Sequence, residues 1–157
     1  MSFLTLILKM KIFEAKIIAP ELTRPLRHKV LWPHIEKVED CIIDIDHRSD
    51  AIHLGVFDDE KIISIGSLFQ MDSPKIAIEK QYRLRAMATD PDYRGQNAGR
   101  ILIEKSFDIL KEKGVEVLWC DARKIAVGFY QSLGFSMLPE EYEVPKIGPH
   151  YFMWKEL

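Results

Sequence analysis

The sequence predicts an α/β domain of the α+β kind: one mixed, twisted central sheet flanked by helices. Two observations carry that expectation. Strand-like segments stand near both ends of the chain, and two strand–helix units follow one another in its second half. A third, the lack of any repeat, linker or low-complexity stretch, points to one domain over residues 1–157 with a core of its own. The make-up is that of a globular protein, 47% hydrophobic and 29% charged. With 22 basic and 24 acidic residues and no basic run, a nucleic-acid partner is not expected. Cys41 and Cys120 are too few for a disulfide framework or a zinc site and are read as thiols in a reducing compartment. The apolar stretch at residues 3–8 is too short to span a bilayer. It has neither a basic segment before it nor a small-residue cleavage site after it, and Met10 competes with Met1 as the start. A cytoplasmic protein without membrane association is the expectation.

Taken in order, residues 11–19 mix β-branched and aromatic side chains and stop at Pro20, as a first strand would. Residues 21–34 place Leu22, Leu26, Val30 and Leu31 at near-helical spacing, predicting a short helix broken at Pro25 and ended by Pro33. Residues 36–50 are acidic and weakly patterned, a loop. Its Glu39, Asp40, Asp44 and Asp46 form either a solvated surface or an attractor for a cationic amine. Residues 51–57 and 62–69 read as two strands joined by a polar turn at 58–61. A loop with Pro74 covers 71–79, and residues 81–89 form the next strand. Gly99, Leu102, Ile103, Phe107 and Leu110 recur at helical spacing, and Lys111, Lys113 and Gly114 close that helix. Residues 115–120 are nearly all apolar, as in a central strand. A second helix over 123–133, stopped by Gly134, and strands at 134–137 and 151–154 complete the chain.

The stretch from Leu84 to Leu110 carries the first chemical signal. A strand passes through Asp90-Pro91 into Arg94-Gly95-Gln96-Asn97-Ala98-Gly99 and then into a helix. The first amides of a helix have no internal partner and lie at the positive end of its dipole, so a small-residue loop there is suited to gripping a phosphate.

Two patterns resemble those of the GCN5-related N-acetyltransferase (GNAT) superfamily. Arg94-Gly95-Gln96-Asn97-Ala98-Gly99 is similar to the family's Gln/Arg-x-x-Gly-x-Gly/Ala signature between a strand and a helix. Ala126, Phe129-Tyr130 and Leu133-Gly134-Phe135 resemble its Ala-x-x-Leu-Tyr-x-x-x-Gly-Phe element, one helix and one strand downstream. The resemblance covers residues 51–135. His28-Lys29-Val30-Leu31, His53-Leu54-Gly55, Leu84-Arg85-Ala86-Met87-Ala88 and Gly148-Pro149-His150-Tyr151 look like a bacterial subgroup lacking a firmly assigned substrate.

The resemblance implies a GNAT-type acyl-CoA N-acyltransferase fold, acetyl-CoA as acyl donor and no metal. It implies that backbone amides of Arg94, Gly95, Gln96, Asn97, Ala98 and Gly99 hold the pyrophosphate, with Arg94 and Arg100 adding charge. Met87, Ala88 and Thr89 would pair with the pantetheine amides as an added strand does, and Arg123, Ala126 and Phe129 would line the same site. The implied reaction is direct acetyl transfer to a primary amine of a small molecule or peptide. A backbone N–H near Met87 would face the oxyanion, and Tyr130 would give a proton to the leaving thiolate. Two positions depart from the pattern. Asn97 replaces the first signature glycine, although asparagine tolerates a left-handed backbone. Arg123 stands where many members carry asparagine.

His150, in a Gly-Pro-His-Tyr turn, is the candidate general base. His53, Asp121 and a water chain are rivals. Each candidate also has a plain structural reading: a hydrogen-bonded core histidine for His150 and His53, a helix cap for Asp121, a core aromatic for Tyr130. Arg85 either selects an acidic substrate or is a surface charge or half of an ion pair. A sensor of acyl-CoA without turnover is the alternative function. A nucleotide-triphosphate enzyme is disfavoured because the loop lacks the Gly-x-x-x-x-Gly-Lys-Ser/Thr pattern. Exposed edge strands near the C-terminus allow a homodimer.

Overall fold

Residues 12–157 are described by a computed structural model, and seven of their segments join in one sheet. In chain order these are β1 (Phe13–Ile18), β2 (Ile52–Asp58), β3 (Lys61–Gln70), β4 (Gln81–Thr89), β5 (Val117–Arg123), β6 (Ser136–Val144) and β7 (Gly148–Glu156). Three α segments accompany them: α1 (Arg24–Leu26), α2 (Ala98–Glu112) and α3 (Val127–Ser132). The spatial order is β1-β2-β3-β4-β5-β7-β6. Every neighbouring pair is antiparallel except β4 and β5, whose parallel pairing needs the crossover that α2 supplies. The apolar stretch at residues 3–8 and the choice between Met1 and Met10 lie outside the described residues.

α2 covers one face of the sheet. Its Leu102, Ile103 and Leu110 are fully buried, packed in one cluster with Leu54, Val56, Ile63, Leu68, Leu84 and Leu118. Each such side chain contributes about 1.5–3 kcal/mol by leaving water. The approach is close: a Cβ at Gly66 on β3 would stand 2.9 Å from Leu102 Cδ2. Gly114, at φ 76, ends the helix, and Val115 N–H closes back on the Leu110 carbonyl at 3.0 Å.

The opposite face is covered differently from the single helix expected over residues 21–34. A 3-10 turn (Pro20–Thr23), the one turn of α1 and a π turn (Arg27–Leu31) follow one another. Pro25 does not break the run. It stands in the first turn of α1, where a missing N–H removes no helical bond. Leu26 packs on Ile18, Ile65 and Ala88, and the π turn carries Arg27 fully inside. Residues 36–50 form the expected loop, with one 3-10 turn at Val38–Asp40. Asp46 is nonetheless buried, neither a solvated charge nor an attractor for substrate, because its carboxylate is spanned by Arg27.

Two further departures shape the site. β5 continues through Asp121 to Arg123, so the second helix is reduced to a 3-10 turn (Lys124–Ala126) and α3. β6 and β7 are long strands, so His150 sits within β7 and not in a turn. Pairing of β4 with β5 lasts only from Gln81–Val117 to Arg83–Trp119. Beyond it β5 pairs with β7 alone, and β4 kinks: Ile65 faces Ala88 and Ser67 faces Arg85, leaving Gly66 opposite two residues. Ala86, at φ 52, takes up that bulge in left-handed backbone. The strands part there, and the sheet opens into a wedge.

Candidate active site

The wedge holds a cleft of two lobes. The larger, about 670 Å³, runs from the end of β4 over the start of α2. Met87, Ala88 and Thr89 form one wall, and Arg123, Ala126, Phe129 and Tyr130 the other. Arg94, Gly95, Asn97, Ala98, Gly99 and Arg100 close its end. Of the residues expected around the phosphate loop, Gln96 alone does not line the cleft. It is exposed, its amide nitrogen 3.5 Å from the Asp92 carbonyl.

The loop takes its shape from local rules. Asp90 is buried, and its carboxylate accepts the Asp92 N–H at 3.0 Å, with Pro91 as the first residue of the turn. That bond, with the Lys29 ammonium at 3.3 Å, holds the Asp90 carboxyl below the ordinary range against the opposing effect of burial. Gly95 at φ 77 and Asn97 at φ 67 then take left-handed backbone on either side of Gln96. Alternation of this kind turns successive amides toward one point. Among the described residues no side chain makes a cap bond at the start of α2, whose first residues line the cleft. Gly99 is needed for fit: a Cβ there would come within 3.2 Å of both the Phe129 ring and Met87 Cε. Arg100 is 3.4 Å from Glu104 and 3.3 Å from the Ser132 hydroxyl, whereas Arg94 and Arg123 meet no carboxylate among the described residues.

Tyr130 stands where the lobes meet and lines both. Its ring packs edge-on against Phe129 and Phe135, each at 5.1 Å. Burial, and secondarily Cys120, push its phenol well above the ordinary value, so it keeps its proton far beyond neutral pH. Tyr130 is thus a packed core ring that also lines the cleft.

The smaller lobe, about 310 Å³, is lined by Leu31, Trp32, Arg83, Arg85, Asp121 and His150. His150 is buried, and its Nδ1 lies 2.8 Å from the Gly148 carbonyl. A carbonyl only accepts, so Nδ1 is the donor in this bond and Nε2 is the ring nitrogen left able to accept. His53 has no such freedom. Its Nε2 donates to the Asp46 carbonyl at 2.9 Å and its Nδ1 meets Ser67 Oγ at 2.8 Å. Both nitrogens are used, on the far side of β3 from the wedge. Asp121 does not cap a helix: Arg83 Nη2 donates to it at 2.7 Å, and so does the Tyr142 hydroxyl. Arg85, on β4, is half-buried and has no ion pair among the described residues. Burial, and secondarily Arg83, lower its pKa. The Arg83–Asp121 pair and the buried Arg27 escaped the sequence reading, since their partners lie 38 and 19 residues away.

Comparisons with known proteins agree with this architecture. Residues 16–135 match the model of the acetyltransferase (GNAT) family. A Bacillus subtilis protein named as the uncharacterized N-acetyltransferase YitI is 42% identical over 144 residues, 92% of this chain and 96% of its own. The ribosomal-protein-S18-alanine N-acetyltransferase of Escherichia coli superposes with a TM-score of 0.70 at 19% identity, covering 92% of this chain and 94% of that one. An aminoglycoside 6'-N-acetyltransferase solved with coenzyme A gives 0.73 at 10% identity, over 90% and 96% of the two chains. This chain belongs to the GNAT family and is an N-acetyltransferase.

Proposed function

We propose that the protein transfers the acetyl group of acetyl-coenzyme A directly to the primary amine of a small molecule that also bears a carboxylate. The observation that carries the donor half is the wedge itself, with Tyr130 at the junction of its two lobes. The donor suits the larger lobe on several counts. Left-handed Gly95 and Asn97 and the uncapped start of α2 offer amides to a pyrophosphate, and Arg94 and Arg123 are cations without carboxylate partners among the described residues. The parting of β4 from β5 leaves backbone at Met87, Ala88 and Thr89 to pair with the pantetheine amides.

The acceptor half rests on charge. Among the described residues the smaller lobe carries Arg83, Arg85 and Arg123 against the single carboxylate of Asp121, which Arg83 already engages. A half-buried guanidinium such as that of Arg85 is completed by an acidic group on the substrate. His150 Nε2 takes the proton that the amine sheds as its nitrogen bonds to the acetyl carbon. The bulged backbone at Ala86 and Met87 offers an N–H to the carbonyl oxygen as it gains charge. Tyr130 gives its proton to the sulfur as the carbon–sulfur bond breaks, and recovers it from solvent.

Calorimetry with acetyl-CoA, then thiol release over glycine, β-alanine, L-aspartate, ethylamine, ethanolamine and an N-terminal peptide amine, tests the reading. Amines with a carboxylate should outrun their uncharged counterparts, and Arg85→Gln should erase the difference. Binding without turnover on any of these amines would favour a sensor instead.

A further inference from the structure

Tyr142 is a residue that neither the motifs nor the lobe linings pick out. It stands on β6, the outermost strand, and faces His150 on β7, which in turn faces Arg123 on β5. Its hydroxyl does not bond to its neighbour strand. It passes over β7 to donate to Asp121 Oδ1 on β5, skipping one strand of the sheet. Asp121 is held from its other oxygen by Arg83 Nη2 at 2.7 Å, and the Arg83 guanidinium lies 4.9 Å over the Trp119 ring. The Tyr142 ring is held on its face as well, with the Lys75 ammonium 4.3 Å from its centroid. His150 lies within this span, its ring 6.2 Å from that of Tyr142 and inclined by 29°.

Such an arrangement has a cost that packing alone would not incur. A carboxylate, a guanidinium and a phenol are brought together, partly out of water, where an apolar contact would serve a strand edge as well. Burial, and after it the bond to Asp121, push the Tyr142 phenol up, so it stays a donor at all physiological pH. The register of β6 on β7 shifts between Met137 and Glu141 and is regular again from Glu141 to Val144, which sets Tyr142 opposite His150. Gly148, at φ 115, supplies the carbonyl that binds His150 Nδ1. The imidazole thus has one tether at Nδ1 and one wall along its face. Together these restrain the ring.

We propose that Tyr142, anchored by Asp121 and Arg83, is a positioning residue that holds the His150 imidazole in the orientation needed to take the proton from the acceptor amine. The inference rests on the reading of His150 as the general base. Tyr142 and Asp121 act through His150 and need not touch the acceptor.

The test is a double-mutant cycle, using the fastest amine of the panel above and acetyl-CoA. Tyr142→Phe and Asp121→Ala should each lower kcat about tenfold, as a misplaced base does, with KM for acetyl-CoA unchanged. In a His150→Gln background, Tyr142→Phe should cause no further loss. Equal losses in both backgrounds, or an unchanged kcat in Tyr142→Phe, would overturn the positioning role while leaving His150 as base. Full activity in His150→Gln would overturn the base assignment and this inference with it. A second readout needs no acceptor. Nitrogen-15 NMR of the folded wild type should find His150 protonated at Nδ1 alone, and Tyr142→Phe or Asp121→Asn should give an average of two tautomers. A wild-type ring already averaged, or one unaltered in both variants, would equally overturn it.

Discussion

Arg27 and Asp46 meet through two parallel hydrogen bonds, at 2.7 and 2.9 Å, with both side chains shut away from solvent. The pair is the head of a chain: Arg27 also donates to Ser67 Oγ at 3.0 Å, Ser67 meets His53 at 2.8 Å, and His53 donates to the Asp46 carbonyl. The network ties the irregular segment around α1 to β2, β3 and the loop over residues 36–50. Removing one partner strands the other's charge in the interior. Arg27→Ala should therefore cost about 3–5 kcal/mol in urea unfolding. Arg27→Met with Asp46→Leu should cost less than either single change.

The same network sets an acid sensitivity. Burial holds the pKa of His53 below its ordinary value, despite the nearby Asp46. A histidine whose folded value is depressed binds more protons when unfolded, so stability is lost as pH falls through the interval between the two values. Lowering pH from about 7 to about 5 should reduce the melting temperature of the wild type. His53→Gln, whose amide can serve the same two partners, should flatten that dependence. An identical slope in the variant would count against the assignment. Asp46 acts in the same direction at lower pH. Burial raises its pKa, but the Arg27 bonds outweigh that and keep it low, so its contribution is lost only as pH falls through its folded value.

Asn97 has φ 67 and ψ 11, and no side-chain cap bond is made at this end of α2. Its backbone, not its amide, is what the position demands. Asn97→Gly should leave stability nearly unchanged, while Asn97→Ala should lose about 1 kcal/mol, from the cost of a left-handed β-carbon. Thermal unfolding measures both.

Gly99 makes the opposite demand, for space. Because a Cβ would come within 3.2 Å of Phe129 and of Met87 Cε, valine here must push α2 away from the cleft walls. Gly99→Val should weaken coenzyme A binding by at least about tenfold, or ~1.4 kcal/mol by calorimetry. An unchanged affinity would argue that the pyrophosphate lies elsewhere.

Tyr130→Phe removes one oxygen and keeps the ring between Phe129 and Phe135. Turnover should fall by about 10²-fold or more if the phenol is the proton donor, with coenzyme A binding retained. Because the phenol keeps its proton well above its ordinary pKa, the wild type should show no loss of rate from this group up to about pH 9.

How much of this was legible in the sequence follows from how local each feature is. The amphipathic repeat of Leu102, Ile103 and Leu110 and the stop at Gly114 depend on neighbours within one or two turns, and α2 falls where they place it. The strand–loop–helix around Gly95 and Asn97 is set by backbone preferences within a few residues, so the shape of that loop is legible in the sequence too. The single helix expected over 21–34 failed because apolar spacing does not distinguish α from π or 3-10 bonding. There tertiary contacts, chiefly the burial of Arg27 against Asp46, decided. Asp121 reads in the sequence as a helix cap or a rival base because nothing near it shows that β5 continues or that Arg83 and Tyr142 await it.

By itself, then, the sequence determined the order of strands and helices, the loop at the start of α2 and the presence of Tyr130 downstream of it. Only the tertiary structure decided that β4 and β5 part after Arg83 and Trp119, that His150 stands in β7 beside the opening, and that Arg85 faces it without an ion-pair partner among the described residues. The physical reason is range. Backbone conformation answers to adjacent residues, but a charge in the interior is settled by whichever distant group the sheet brings within hydrogen-bonding distance.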